Sequence, residues 1–293
     1  DDLEGLVHFD YLIITLGRRL ATEKIPGFFE NAKQLLGISA AERFRDSIEK
    51  FTSGDIVVGL CPNGFLPVPV CESALALAHR FRDKMANEVV SVTAVFPETV
   101  DDAFLGSTLF RDLRTAFDTS GVRVVERFPI TSIGSRSLTS DSGEELAYDL
   151  AMLIPPFRGQ ASLMHLGAGY DPQGFLKVDE YLKVAGHENI FAAGDILSLS
   201  GPRFGYMAIR QGKVAAANVL AAISSDHSAI QYEHKLAWAI GEKYSDPIYF
   251  HYGFWDESLD DFDENAFFGM AKNLREKYGP ISGFGKPLGG SAS

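Results

Sequence analysis

The chain has 293 residues, 46% of them hydrophobic, which is enough to bury a large core and points to about two domains. Its 27 basic against 39 acidic side chains give a formal net charge of −12, which sets nucleic acid aside as a partner, since phosphate contacts need clustered Lys and Arg. Two cysteines exclude a disulfide framework and suit a reducing interior, and no apolar run reaches the length of a membrane-spanning helix. With no signal peptide visible either, the expected location is the cytoplasm.

In chain order, residues 9–17 form a short apolar run closed by glycine and read as a buried strand. Ser39 and Glu42 have capping-box spacing, and Phe44, Ile48 and Phe51 make one apolar helix face that stops at Gly54. A second buried strand is expected over 55–60, a helix over 70–85 carrying Ala74, Leu77, Ala78, Phe81 and Met85, and a third strand over 89–96. A helix over 108–117 ends at Gly121, and strand-like segments follow at 122–126 and 149–154. This alternation implies a parallel sheet with helices on its faces. No internal repeat of solenoid period is present.

The turn after the second strand reads Gly59-Leu60-Cys61-Pro62-Asn63-Gly64. A nicotinamide dinucleotide needs Gly-x-Gly-x-x-Gly there, because the second glycine lets the backbone approach the pyrophosphate. Cys61 stands in that place, Pro62 lacks an N–H, and the loop is expected to run through Pro67 and Pro69 before the helix begins. NADH binding at this turn is therefore disfavoured.

Residues 189–195, Asn-Ile-Phe-Ala-Ala-Gly-Asp, read as a buried strand ending in Gly-Asp, with a small-residue helix starting near Gly205. Gly194 lets a ligand approach the backbone, and Asp195 sits at the carboxyl end of the strand, where open α/β sheets bind ligands. The helix start aims unpaired N–H groups and partial positive charge at the same place. That suits a flavin, whose reduced ring carries negative charge at one edge. An ordinary strand–loop–helix fits the same residues. Arg158 and Arg203 are the cations expected nearest a ligand.

From Tyr232 onward a cap is expected, with Leu236, Trp238 and Ile240 alternating as a strand and 248–252 pairing with it. Phe262, Ala266, Met270, Leu274 and Tyr278 form a stripe on a last helix. Internal packing is the favoured role for that stripe, and peripheral contact with the inner face of a membrane the lesser one, because residues 260–264 are acidic. The acidic run 256–264 lacks calcium-loop spacing, and the seven histidines show no metal-ligand spacing, so no metal is expected. Residues 289–293 read as a flexible tail.

Taken together, the stretches at 11–17, 54–59, 153–159, 174–180, 192–195 and 205–208 resemble the sulfide:quinone oxidoreductase and flavocytochrome c sulfide dehydrogenase group of flavoproteins, in the order that group shows. The resemblance implies an α/β fold of two Rossmann-like, three-layer, FAD/NAD(P)-binding domains with a small C-terminal α+β cap. It divides the chain into an FAD-domain segment at 1–40, a second dinucleotide-binding-like domain at 41–155, a further FAD-domain segment at 156–225 and a cap or interface domain at 226–293. It implies FAD as cofactor, a small electron donor such as sulfide, and a quinone as acceptor. Thr15 and Gly17 match the motif closing over the FAD nucleotide, and Gly194 and Asp195 the motif holding its ribityl and pyrophosphate part. Gly205 and Tyr206, with Pro202 and Phe204, match the loop beside the ring, where quinone is expected. Strand and helix packing is the plainer role for Thr15, Gly17 and Tyr206. A type II NADH dehydrogenase-like protein and a degenerate, non-catalytic flavoprotein are the rival readings.

Two departures from the group stand out. Nothing before Phe9 supplies an opening strand–Gly-x-Gly-x-x-Gly–helix unit, so the FAD domain reads as incomplete; either roughly a hundred further residues are expected upstream, or FAD is not bound in the usual manner. An FAD domain lacking that unit would expose sheet edge and apolar surface, which allows for association with a second copy. The group's redox cysteines are also not at their usual places, one of which falls near Leu66. Cys61 and Cys71 are the candidate substitutes, with Cys71 expected in the first turn of a helix, where the dipole would favour thiolate. A disulfide between them is sterically allowed; burial of both as small hydrophobes is the plainer reading. Glu72 matches a glutamate near the flavin and is the candidate proton carrier to quinone, or else a helix-start acid.

Overall fold

The computed structural model describes residues 7–104, 110–166, 169–201, 203–224, 227–240 and 248–253, with no side-chain description at 110–112, 165–166 or beyond 234. In order, the first elements are β1 (Leu12–Ile14), β2 (Arg19–Leu20), α1 (Phe28–Asn31), α2 (Ile38–Lys50), β3 (Gly54–Leu60), α3 (Pro67–Arg80), α4 (Arg82–Ala86) and β4 (Val90–Val95). Next come α5 (Val100–Ala103), α6 (Phe110–Thr119), β5 (Arg123–Val125), β6 (Ile130–Ile133), β7 (Ser137–Ser140), β8 (Glu145–Ala147) and β9 (Leu150–Ile154). The remainder are β10 (Phe157–Arg158), β11 (Ile190–Ala192), α7 (Gly205–Ile223), β12 (Lys235–Ile240) and β13 (Ile248–Gly253).

The central sheet has four parallel strands in the order β5-β4-β3-β9. Its strands read as continuous apolar runs because both faces are covered. Ile56, Val58, Leu60, Val92, Ala94, Met152 and Ile154 point to one side and pack with Phe44 of α2, Ala74 of α3 and Phe117 of α6. Val57, Val95, Ala151 and Leu153 point to the other and pack with Ile130, Ile133 and Leu138. The two sets alternate because successive strand residues face opposite ways. The second cover is thus the antiparallel meander β6-β7-β8 rather than the helices expected on both faces. Its short half-polar strands carry too few apolar residues to announce themselves in the sequence.

Two further expectations change. Helix α2 starts at Ile38 behind Gly37, whose φ of 110° is open to glycine, and no side chain caps it. Ser39 and Glu42 lie inside the helix, and the reciprocal capping box occurs instead at Thr99 and Asp102. Helix α3 begins at Pro67, so the turn after β3 is shorter than expected: proline ends a helix from within but suits its first position. The β12–β13 hairpin forms as the alternation of Leu236, Trp238 and Ile240 implied, with Trp238 opposite Phe250. The stripe at 262–278, the acidic run, the tail and Pro202 lie outside the described residues.

Candidate functional site at the ends of β1 and β11

β1 and β11 pair in parallel, Ile14 beside Ala192, and the amide of Ala193 donates to the Ile14 carbonyl at 3.0 Å. Their carboxyl ends therefore deliver Thr15 and Gly17 from one strand and Gly194 and Asp195 from the next. Thr15 is exposed and Gly17 half-buried with φ 65°. Gly194 turns the chain at φ 86°, a conformation that L side chains rarely adopt.

Arg18 reaches across this junction. Its Nη1 lies 2.5 Å from Asp195 Oδ2, and its guanidinium lies 4.0 Å from the centre of the Phe157 ring. The Arg18 side chain is 15% exposed and that of Asp195 32%, so the pair is only partly screened by water. Burial lowers the Arg18 pKa, against the raising effect of the Asp195 charge and hydrogen bond.

Arg203 lies deeper. Its Nη1 donates to the carbonyls of Asp195 at 2.9 Å and Leu197 at 2.6 Å, and Nη2 donates to Leu199 at 3.4 Å. Its guanidinium sits 4.4 Å from the Phe175 ring centre and 5.3 Å from that of Phe65. Burial lowers its pKa to about 10, so it stays charged near neutral pH. Its role is to staple the turn after β11 to the loop before α7.

Helix α7 then begins at Gly205 with no side chain capping it, and the space where a Gly205 Cβ would stand is open. Nineteen aligned residues leave partial positive charge at that end. The rings of Phe204 and Tyr206 stack with centroids 5.9 Å apart and pack against the core cluster of α3. Gly194, Asp195, Arg203, Phe204, Met207, Gln211 and His234 are among the residues lining one small cavity that is open to solvent.

Both cysteines lie in the core, the plainer of the two readings, although Cys71 is not in the first turn of its helix. Cys71 lies in the second turn of α3, fully buried, and Cys61 is equally buried. Burial pushes both thiols upward, with Glu72 adding to the effect at Cys71. Both are free, and they belong to separate core clusters on opposite faces of the sheet, Cys71 with the helices and Cys61 with the meander. Glu72 is half-buried on α3. Arg158 pairs with Glu23 at 3.9 Å, away from the cavity. Sequence reasoning passed over Arg18, Gln211, Tyr232 and His234; a glutamine buried within the small-residue stretch of α7 was the one visible signal.

The turn after β3 departs from a glycine-rich one in its local geometry. Between β3 and α3 the chain holds non-glycine residues at positive φ, Asn63 at 60° and Phe65 at 48°, and Cys61 is buried in the cluster under the meander. Pro67 and Pro69 remove two donors from the first turn of α3.

A doubly covered parallel sheet joined to a strand-end site under a glycine-started helix defines a dinucleotide-binding α/β scaffold. The pyridine nucleotide-disulphide oxidoreductase description matches residues 3–212, and the chain belongs to that family. It is 28% identical over 222 residues to oxidoreductase ptaL of Pestalotiopsis fici, covering 74% of this chain and 56% of that protein. It is 24% identical over 203 residues to an NADH dehydrogenase-like protein of Mycobacterium tuberculosis, covering 64% of this chain and 48% of the relative. The chain thus spans about half the length of these relatives. Its fold is similar to the sulfide:quinone oxidoreductase of Aquifex aeolicus, with a TM-score of 0.71 at 15% identity over 93% of this chain and 68% of that one.

Proposed function

We propose that the chain binds FAD along the ends of β1 and β11 and serves an oxidoreductase of the sulfide:quinone type. The observation carrying this reading is that the Asp195 carboxylate and the uncapped start of α7 line one cavity. The residues present suit the cofactor: Gly194 and Gly205 keep side chains out of its path, and Asp195 accepts from ribityl hydroxyls. When bound, FAD supplies the two-electron store between donor and quinone. Thr15 and Gly17 flank its nucleotide, the α7 N-terminus favours negative charge at the ring edge, and Phe204 and Tyr206 face the quinone. Glu72 hands on the protons that quinone reduction consumes.

Sulfide is the leading donor, taken up without the thiol pair. Cys61 and Cys71 are assigned to packing, since their burial and separation oppose thiolate chemistry. The likeness to an NADH dehydrogenase-like protein supports a second reading with NADH as donor, which the proline-bearing turn after β3 opposes. Among the described residues no helix is long and apolar enough to cross a membrane, so quinone would be met by peripheral contact. The test is an anaerobic absorption spectrum of the full chain incubated with FAD. Bleaching by sulfide supports the leading reading, bleaching by NADH the second, and failure to retain flavin overturns both.

A further inference from the structure

Three of the residues passed over in the sequence, Gln211, Tyr232 and His234, form one oriented chain of hydrogen bonds. The Gly194 amide donates to Gln211 Oε1 at 2.8 Å; a backbone N–H can only donate, so the glutamine nitrogen must face the other way. That nitrogen donates to the Tyr232 hydroxyl at 3.1 Å. At the far end His234 Nε2 lies 3.1 Å from the Ser200 carbonyl, which only accepts, so Nε2 carries the hydrogen. Neutral His234 then offers Nδ1 as an acceptor 3.2 Å from the Tyr232 oxygen, and the tyrosine hydrogen goes there. Each bond has a single sense. Gln211 and Tyr232 are each 4% exposed and His234 2%, which leaves little room for water to replace a lost partner.

The chain ties three places together: the Gly194–Asp195 turn, the buried face of α7 and the loop that carries Ser200. Asn218, two turns further along the same buried face of α7, fastens the same segment by donating to the Ile230 carbonyl at 2.9 Å and accepting from its amide at 2.7 Å. We infer that His234 is a positioning residue for the flavin site, its Nε2–H tautomer locking the Gly194–Asp195 turn through Tyr232 and Gln211 and the loop before α7 through Ser200. The inference rests on the FAD reading above.

Several charged and titratable groups face this histidine: Arg203 from the loop, Arg210 from α7, Asp195 across the shared cavity, and Tyr232 and Glu233 on its own segment. Burial, Arg203 and Arg210 oppose a proton on His234, and the Ser200 carbonyl favours it. Protonation would place a hydrogen on Nδ1 and turn that acceptor into a donor. The Tyr232 oxygen could accept from it beside Gln211, but the Tyr232 hydrogen would lose its acceptor where little room is left for water to replace it, which weakens the chain at its middle.

The experiment titrates the full chain with FAD, following flavin fluorescence at pH values from about 5 to 8, and reads the histidine tautomers of the FAD-free protein by 15N NMR. The wild-type chain should show the Nε2–H form at His234 and bind FAD more weakly on acidification. His234→Leu and Tyr232→Phe should each weaken binding roughly tenfold at neutral pH. His234→Asn, whose amide oxygen can replace Nδ1 as acceptor, should restore binding to within about threefold and abolish its pH step. Unchanged FAD affinity in His234→Leu, or an Nδ1–H tautomer in the wild-type chain, overturns the inference. Should the wild-type chain take up no FAD, the functional reading falls, and the tautomer alone decides whether the lock exists.

Discussion

The turn after β3 and the turn after β11 both carry a parallel strand toward a helix, yet they offer a ligand opposite surfaces. After β3 Cys61 turns into the core, two residues take positive φ without being glycine, and Pro67 and Pro69 strip donors from the helix start. After β11, Gly194 makes the turn, the helix starts at an unobstructed glycine, and a carboxylate stands beside it. One topology can therefore keep its core while its turns change, because the core depends on strand and helix faces and a ligand surface on a few turn atoms.

The largest effect that would break this contrast is expected at Asp195. Asp195→Ala leaves the mostly buried Arg18 without its partner, and the chain should lose about 2 kcal/mol of stability, read by urea denaturation, a figure discounted for partial exposure. FAD binding should fall at least tenfold in the same protein. Retained flavin affinity would remove Asp195 from the site.

Cys71→Ser tests the side of the β3 turn. A hydroxyl placed in that dry cluster should cost roughly 1–3 kcal/mol, while flavin content and any reduction by sulfide stay unchanged. Cys61→Ser should behave alike. Loss of sulfide reduction with the fold intact would restore the thiols to the mechanism.

Gly205→Ala separates fold from ligand at the open side. The added methyl meets nothing in the protein, so stability should stay within about 0.5 kcal/mol. FAD affinity should nonetheless drop several-fold, because the methyl projects where the ligand would approach. Equal affinity would move the ligand away from the start of α7.

The smallest effect expected is one of pH. Burial holds the His234 pKa below its ordinary 6.5 in the native state. The unfolded chain therefore binds this proton first as pH falls, so stability is full above that value and declines between it and the lowered native pKa. Thermal midpoints measured across this window in wild type and His234→Asn should diverge on the acid side alone.

Much of the scaffold was readable from apolar runs. The strands at 54–60, 90–95 and 150–154 are buried on both faces, so their continuous hydrophobicity marks them directly. The meander was not, since its strands are three or four residues long and partly polar. Gly194, Asp195 and Gly205 stood out by residue type at a strand end and a helix start. Arg18 did not, because its partner lies 177 positions away.

Local chemistry in the sequence was sufficient to determine the alternating scaffold, the proline-bearing turn after β3 and the glycine-started helix, since periodicity, proline and glycine act over a few residues. Only the tertiary structure decided that the two thiols lie on opposite faces of a sheet, that Asp195 is held by Arg18, and that Gln211, Tyr232 and His234 join in one directed chain. Burial and hydrogen-bond direction depend on which distant segments meet, and no local pattern records that meeting.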